Sequence, residues 1–411
     1  MKAASFSALT VFLLFFAASC SRPSVVMILT DTPETIAYAE IFNAQNTDCK
    51  AYVFYTDHPE TELRYRPESF DLILASSILD KELVESFRNL KSLVRRGKIS
   101  GSQLYPNLLE AYRLQGRMPV IPAAFDLHVF LTPKSNPIPE SRMISFKDLM
   151  DACKEFSIFR NGAYSKIAYS PTWSRNLFYH YIEEYDCAAS AWGREDLNVD
   201  EEQLSALLNQ FKNAYREAFP IENSNAEKAF REKYLYDNYE NLLGSERILF
   251  YDMEIGEWMK TDPNENSPFD FLYFCESGKI TVEPDVLFFA VPKTAQEPRK
   301  AKKFIKWFFE KETQELLIAE SEKSWLNSFG IAGRLSSVVD TNETGICRLY
   351  PYLTFRLPPS EMIYGSTPKP LGWERLTEQV LDPWIKENLH SEEPIPYPAD
   401  AVRLWFAEYR N

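Results

Sequence analysis

Apolar residues come first in a single block. Lys2 is followed by an apolar run over residues 9–18, and Ala17, Ala18 and Ser19 stand just ahead of Cys20. This layout predicts a secretory signal peptide over residues 1–19, too short for the ~20 apolar residues that a membrane-spanning helix needs. Val25-Val26-Met27-Ile28-Leu29 is then a continuous β-branched run, the pattern of a strand buried on both faces of a parallel sheet. Thr32 as N-cap and Pro33 in the first turn predict a helix over residues 33–45, with Ile36, Ala39, Ile41 and Phe42 near helical spacing. Further strands are predicted at 51–55 and 70–75. The order strand, helix, strand, loop, strand is a βαβ unit of an open α/β sheet, whose ligands collect beyond the carboxyl ends of the strands. Thr30, Asp31, Asp57 and Ser76 fall there.

Farther along, residues 120–131 read as a Pro-entered strand pair that runs into Thr132-Pro133-Lys134 as a crossover, with Asp126 on this crossing segment. Helical patterns follow over 146–154 and 174–184, then an acidic helical region over 200–243. A strand is predicted at 247–251 and another at 286–291, followed by a helix over 299–320. Beyond Gly333 the chain is proline-rich and closes with helices predicted at 372–389 and 399–409. No internal repeat interrupts this series.

Composition narrows the chemistry. The chain has 411 residues, 45% of them hydrophobic, enough for two or three domains with sizeable cores. Fifty-nine acidic against 45 basic side chains leave a formal charge of −14, which repels phosphate backbones and argues against a nucleic-acid partner. Only 13 residues are Gly, so Gly-rich phosphate loops have little material, whereas aromatic residues make up 14%. Cys49, Cys153, Cys187, Cys275 and Cys347 are irregularly spaced with no CxxC pair; buried free thiols fit better than a disulfide or zinc framework. His180 with Glu183 and Glu184 would share a helix face, but two ligands on one helix do not make a metal site, and a solvated or core-edge face is expected. No GxSxG, HExxH, P-loop or Rossmann fingerprint occurs, so neither an enzyme nor a cofactor is expected.

Ala17-Ala18-Ser19-Cys20 resembles the bacterial lipobox, with Ala17 in place of its usual Leu. The resemblance implies lipid on Cys20 and a protein exported and anchored to a bacterial membrane, facing the periplasm or the exterior; a plain signal peptide is the alternative. Acyl chains would anchor it firmly, since each buried CH₂ contributes ~0.8 kcal/mol. Ala301-Lys302-Lys303-Phe304-Ile305-Lys306-Trp307-Phe308-Phe309, followed by Glu312 and Gln314, resembles the A-x-x-F-I-x-W-L helix of the family 1 extracellular solute-binding proteins, receptors of ABC importers that include the maltodextrin-binding proteins. Residues 119–134 resemble the family's hinge-crossing segment, with Leu131-Thr132-Pro133-Lys134 replacing its Tyr-Asn-Lys, and residues 368–373 its approach to the C-terminal helices. The resemblance implies a two-lobe α/β fold with discontinuous lobes joined by a hinge: 24–130 plus 288–335, and 131–287 plus 336–411. It also implies a small solute in the cleft, most simply a sugar or oligosaccharide, with ABC permease subunits as partners and a monomeric receptor.

A sugar site needs flat apolar surface for pyranose faces and polar groups for hydroxyls. Asp31, Asp57, Ser76 and Asp126 are the polar candidates, and Trp173, Trp258 and Trp373 the aromatic ones. An Asp ahead of a helix also serves as a cap, and a Trp also serves as packing. Trp307 and Trp405 read as core, while Trp192 and Trp384 stay open. Acidic and aromatic residues would equally suit a polyamine or other cation. A lipoprotein of this fold acting as adhesin or sensor is the remaining alternative.

Overall fold

Continuous apolar runs become strands covered on both faces. The computed structural model describes residues 24–95, 99, 103–174, 176–185, 200–323, 328–369 and 372–409; the signal peptide expected over residues 1–19, the expected lipid site Cys20, and Cys187 and Trp192 lie outside them. In chain order the strands are β1 (Ser24–Thr30), β2 (Cys49–Tyr55), β3 (Leu72–Ala75), β4 (Val120–Phe125), β5 (His128–Pro133) and β6 (Met143–Ile144). A hairpin, β7 (Ile158–Arg160) and β8 (Ala163–Lys166), precedes β9 (Tyr251–Glu254) and β10 (Phe269–Phe274). β11 (Ile280–Thr281), β12 (Leu287–Ala290), β13 (Leu335–Ser336) and β14 (Ile363–Tyr364) complete the set.

Two sheets organise two α/β lobes. The first is six-stranded in the order β13-β4-β12-β3-β1-β2, with β1 parallel to both β2 and β3, and β12 antiparallel to β3 and β4. Every residue of β3, β4 and β12 is buried, as helices on both faces require. On one face Phe42 of the helix Thr35–Gln45 meets Phe304 at 4.9 Å and Trp307 at 5.1 Å, both on the helix Pro298–Phe308. The second sheet runs β6-β10-β5-β9. Its core is aromatic: Phe130 of β5 packs edge-on against Tyr169 at 5.1 Å, and Phe146 stacks on Phe211 at 3.9 Å. Trp307, Trp384 and Trp405 are buried, which assigns Trp384 to packing as well.

The chain passes between the lobes along adjacent segments. The first passage is Asp126-Leu127, between β4 and β5, inside the 24–130 expected for one lobe. The second is residues 282–286, between β11 and β12. They are joined by an antiparallel bridge between Leu127 and Val282, and Glu283 N–H donates to the Asp126 carbonyl at 3.0 Å. The C-terminal segment returns later: Thr341–Ile346 packs on the helix Lys311–Lys323 of the first lobe, whereas Tyr352 hydrogen bonds to Asp270 of β10.

Local chemistry explains where elements differ from expectation. The first helix begins at Thr35, not Pro33, because the hydroxyl of Thr30 accepts the Thr32 N–H (3.0 Å) and pairs with the Thr35 hydroxyl (2.9 Å). Thr32 therefore caps nothing; its hydroxyl donates to Asp31 at 3.1 Å. The strand expected at 247–251 forms at Tyr251–Glu254, since the Ile248, Leu249 and Phe250 N–H groups are taken by Leu242 and Ala168 carbonyls. The helix expected over 299–320 divides into Pro298–Phe308 and Lys311–Lys323. Near the C-terminus, Pro383 can neither donate to the preceding turn nor fit beneath its carbonyl, and the helix widens to a π turn over Thr377–Leu381 before continuing as Asp382–His390. Among the described residues Cys49, Cys153, Cys275 and Cys347 are free thiols, and no helix is long and apolar enough to cross a membrane.

Candidate interlobe site

The carboxyl ends of β1, β2 and β3 open on a cavity of about 420 Å³ whose walls include Asp31, Glu34, Asp57, Ser76, Ser77 and Arg334. The parallel register between β1 and its two neighbours places these ends side by side, so three segments distant in sequence share one rim. One carboxylate oxygen of Asp31 accepts the Ser76 N–H and hydroxyl, both at 2.9 Å, and the Ser77 N–H at 3.4 Å. Asp31 thereby fixes the loop after β3 instead of capping the helix that follows it. Asp57 is exposed and accepts the Tyr55 hydroxyl at 2.7 Å. Arg334 reaches the rim from a turn whose residues Gly330, Ala332 and Gly333 all have positive φ. Its guanidinium pairs with Asp285 on the second passage.

The second lobe carries a cavity of about 400 Å³ lined by Trp173, Tyr169, Tyr251, Asp252, Glu254 and Glu257, with Arg231, His128 and Glu283 also in its wall. Trp173 lies parallel to Phe230 (6.0 Å, 7°) and edge-on to Tyr169 (5.8 Å), which fixes the ring plane. Its indole N–H is buried and has no partner among the described residues. Glu254 joins the two cavities electrostatically: Arg334 and Asp285 both act on it. Burial, and then the neighbouring carboxylates of Asp285 and Glu283, push its carboxyl up to about 7.

The structure thus brings Asp31, Asp57 and Ser76 together in the first-lobe cavity and sets Trp173 in that of the second lobe. The remaining candidates stand elsewhere. Asp126 is 2% exposed, and its carboxylate accepts the Leu127 N–H (2.8 Å) and the Gly256 N–H (3.1 Å), so it serves the hinge. Burial, followed by the charges of Glu254 and Asp285, holds its carboxyl well above the ordinary carboxylate range. Trp258, in the short helix Ile255–Met259, is 3% exposed and packs edge-on to Tyr352, leaving no face for a solute. Trp373 lies outside both cavities; it packs edge-on to Tyr179 at 5.3 Å with the Lys369 ammonium 5.0 Å above its ring. The helix face shared by His180, Glu183 and Glu184, expected to be solvated or at the core edge, is buried, and its three side chains turn to different partners. His180 turns to Glu283, Glu183 pairs with Lys369, and Glu184 accepts backbone N–H groups of Glu276 and Thr281.

Arg334, Asp252 and Glu254 also line these cavities and were not among the residues expected from the sequence. Only the Gly330 and Gly333 pair ahead of Arg334 hinted at a sharp presenting turn.

No family model and no curated protein sequence matches this chain. Solved structures do match. The sugar-binding protein MalE from the phytopathogen Xanthomonas citri is 14% identical with a TM-score of 0.67, over 94% of this chain and 98% of that one. The cyclic alpha-maltosyl-1,6-maltose binding protein from Arthrobacter globiformis gives 13% and 0.62 over the same shares. An extracellular solute-binding protein of family 1 from Alicyclobacillus acidocaldarius gives 12% and 0.59, again over 94% and 98%. At such identities the likeness is one of fold, and it spans nearly the whole of each chain.

Proposed function

We propose that this protein is the solute-binding receptor of an ABC importer and that its cargo is a sugar or oligosaccharide enclosed between the lobes. The observation that carries the reading is Trp173: an oriented ring with an indole N–H unpartnered among the described residues, in a second-lobe cavity linked through Glu254 and Arg334 to the carboxylate and serine rim of the first lobe. A pyranose face would lie on the indole while its hydroxyls meet Asp31, Ser76 and Asp57 from one side and Asp252 and Glu257 from the other. Only a closed arrangement lets one solute touch both walls, so binding favours closure. The sugar binders of the same fold support this choice. On this reading the lobes are 24–130 with 288–335 and 131–287 with 336–411, adjusted so that the chain crosses at Asp126-Leu127 and at 282–286 and Ser336 and Thr341–Ile346 go with the first lobe. Cys20 carries the lipid, the working unit is a monomer, and permease subunits receive the cargo.

The carboxylates around both cavities favour a second reading, a polyamine or another cation. Thermal melting of the purified mature chain against separate panels of saccharides and polyamines divides the two. A ligand at about a hundred times its Kd adds ~2.7 kcal/mol of stability. A saccharide that raises the melting temperature supports the sugar receptor. Stabilisation by polyamines alone transfers the cleft to a cationic cargo, and silence across both panels sinks the receptor reading.

A further inference from the structure

His128, His180 and Glu283 form a buried cluster at the base of the second-lobe cavity. They are 5%, 4% and 3% exposed and come from three separate segments. His128 is the first residue of β5, directly after the first passage; Glu283 lies on the second passage; His180 sits in the helix Leu177–Glu184. One oxygen of Glu283 lies 3.1 Å from His128 Nδ1 and 3.1 Å from His180 Nε2, and the three donor atoms fall within 4.8 Å of one another. From the juxtaposition of these three side chains we propose a divalent transition-metal site, of zinc type, at the point where the two interlobe passages meet.

The geometry suits such an ion. A tetrahedral zinc with nitrogen and oxygen ligands at roughly 2.0–2.2 Å holds its donors about 3.3 Å apart. Two of the three edges are already at 3.1 Å, and the remaining one closes with a small rotation of the imidazoles, whose centroids are 5.0 Å apart. Two imidazoles and one carboxylate are a borderline donor set. They suit zinc or cobalt and exclude calcium and magnesium, which take oxygen cages. Three protein ligands leave a fourth position open, and His128 and Glu283 both line the cavity, so the ion has a route in and room for a water or solute oxygen. Charge agrees: Asp252 and Glu254 share that cavity, and a dication is stabilised by their field. One nitrogen of His128, Nε2, is buried without a partner among the described residues. A carboxylate bridging two imidazoles by hydrogen bonds alone accounts for the contacts but not for the approach to His128 and Glu283 from the cavity; Nε2, on the other side of the ring from Nδ1, keeps no partner among the described residues on either account.

The test uses the full mature chain, stripped with chelator and then given zinc chloride. Gel filtration followed by elemental analysis is expected to return one zinc per chain for the unsubstituted protein and none for His180→Asn. Cobalt chloride on the unsubstituted protein gives a second readout, independent of whether the variant folds: a tetrahedral site turns the ion from pink to intense blue. Zinc that elutes apart from the chain, cobalt that stays pink, or zinc retained equally by a folded His180→Asn chain each overturns the proposal. None of these readouts involves a saccharide, so the metal site and the cargo reading fail or stand separately.

Discussion

Gly256 of the second lobe lies backbone to backbone against Gly333 of the first: a β-carbon added at Gly256 would overlap the Gly333 carbonyl oxygen and the Asp126 carboxylate. Neither obstacle is the free end of a flexible chain, so Gly256→Ala has to part the lobes or displace the hinge carboxylate. The expected result is at least a tenfold loss of solute affinity, about 1.4 kcal/mol, together with a larger radius of gyration in small-angle scattering at saturating solute. An unchanged radius and affinity would show that this contact does not govern closure.

Trp173 and Trp373 separate the two uses of tryptophan in the second lobe. Trp173 is held by Phe230 and Tyr169 in a cavity wall, whereas Trp373 packs on Tyr179 away from either cavity. Trp173→Ala is expected to lower saccharide affinity by tenfold or more, as loss of a central aromatic anchor does. Trp373→Ala keeps the affinity, and Trp258→Ala costs about 3–5 kcal/mol of stability as a buried ring is lost. Titration calorimetry alongside denaturant melts reads both effects; a Trp373 variant that cannot bind would reverse the assignment.

Asp31 acts through the loop it holds. With Asp31→Ala the Ser76 N–H and hydroxyl and the Ser77 N–H lose their shared acceptor, so the first-lobe rim loosens while the sheet beneath stays intact. Affinity is expected to fall with the midpoint of unfolding nearly unchanged. A fall in stability without a fall in affinity would make Asp31 a purely structural residue.

Asp270 governs a pH effect. Burial alone would raise its carboxyl, but Arg142, in two bonds of 2.7 and 3.1 Å, the Phe271 N–H and the Tyr352 hydroxyl outweigh it and hold the group below its ordinary value. For an acid with a depressed folded pKa the contribution is fully present above the unfolded pKa of about 3.9 and is lost as pH falls through the folded value. Asp270→Asn should therefore cost about 3 kcal/mol at neutral pH, since it strands Arg142, and the loss should shrink as the pH drops below about 4. Urea titrations over that range check it; a cost that stays constant with pH refutes the linkage.

What the sequence disclosed depended on how local the signal was. Strands β1 and β4 and the clustering of Asp31, Asp57 and Ser76 followed from apolar runs and the geometry of a parallel sheet. β9 carried no such signal: Tyr251-Asp252-Met253-Glu254 is half polar and becomes a strand only by pairing antiparallel with β5. Asp252 and Glu254 were hidden for that reason. Trp258 and Trp373 fell on segments whose packing partners, Tyr352 and Tyr179, lie about ninety and two hundred residues away, distances that no local pattern reports. His180 was read with its neighbours on the helix because its true partner, Glu283, is 103 residues downstream.

The position of β12 between β3 and β4 has a consequence for how the chain acquires its shape. Until residues 287–290 are available, β3 and β4 have no strand joining them, and each presents an unpaired edge. The first lobe therefore matures late, through contacts of long sequence separation that form slowly. For the exported receptor proposed above, that delay would keep the chain threadable while most of its length is still being delivered across a membrane. A fragment ending at residue 286 should correspondingly yield no protease-resistant first lobe, although it contains four of that lobe's six strands.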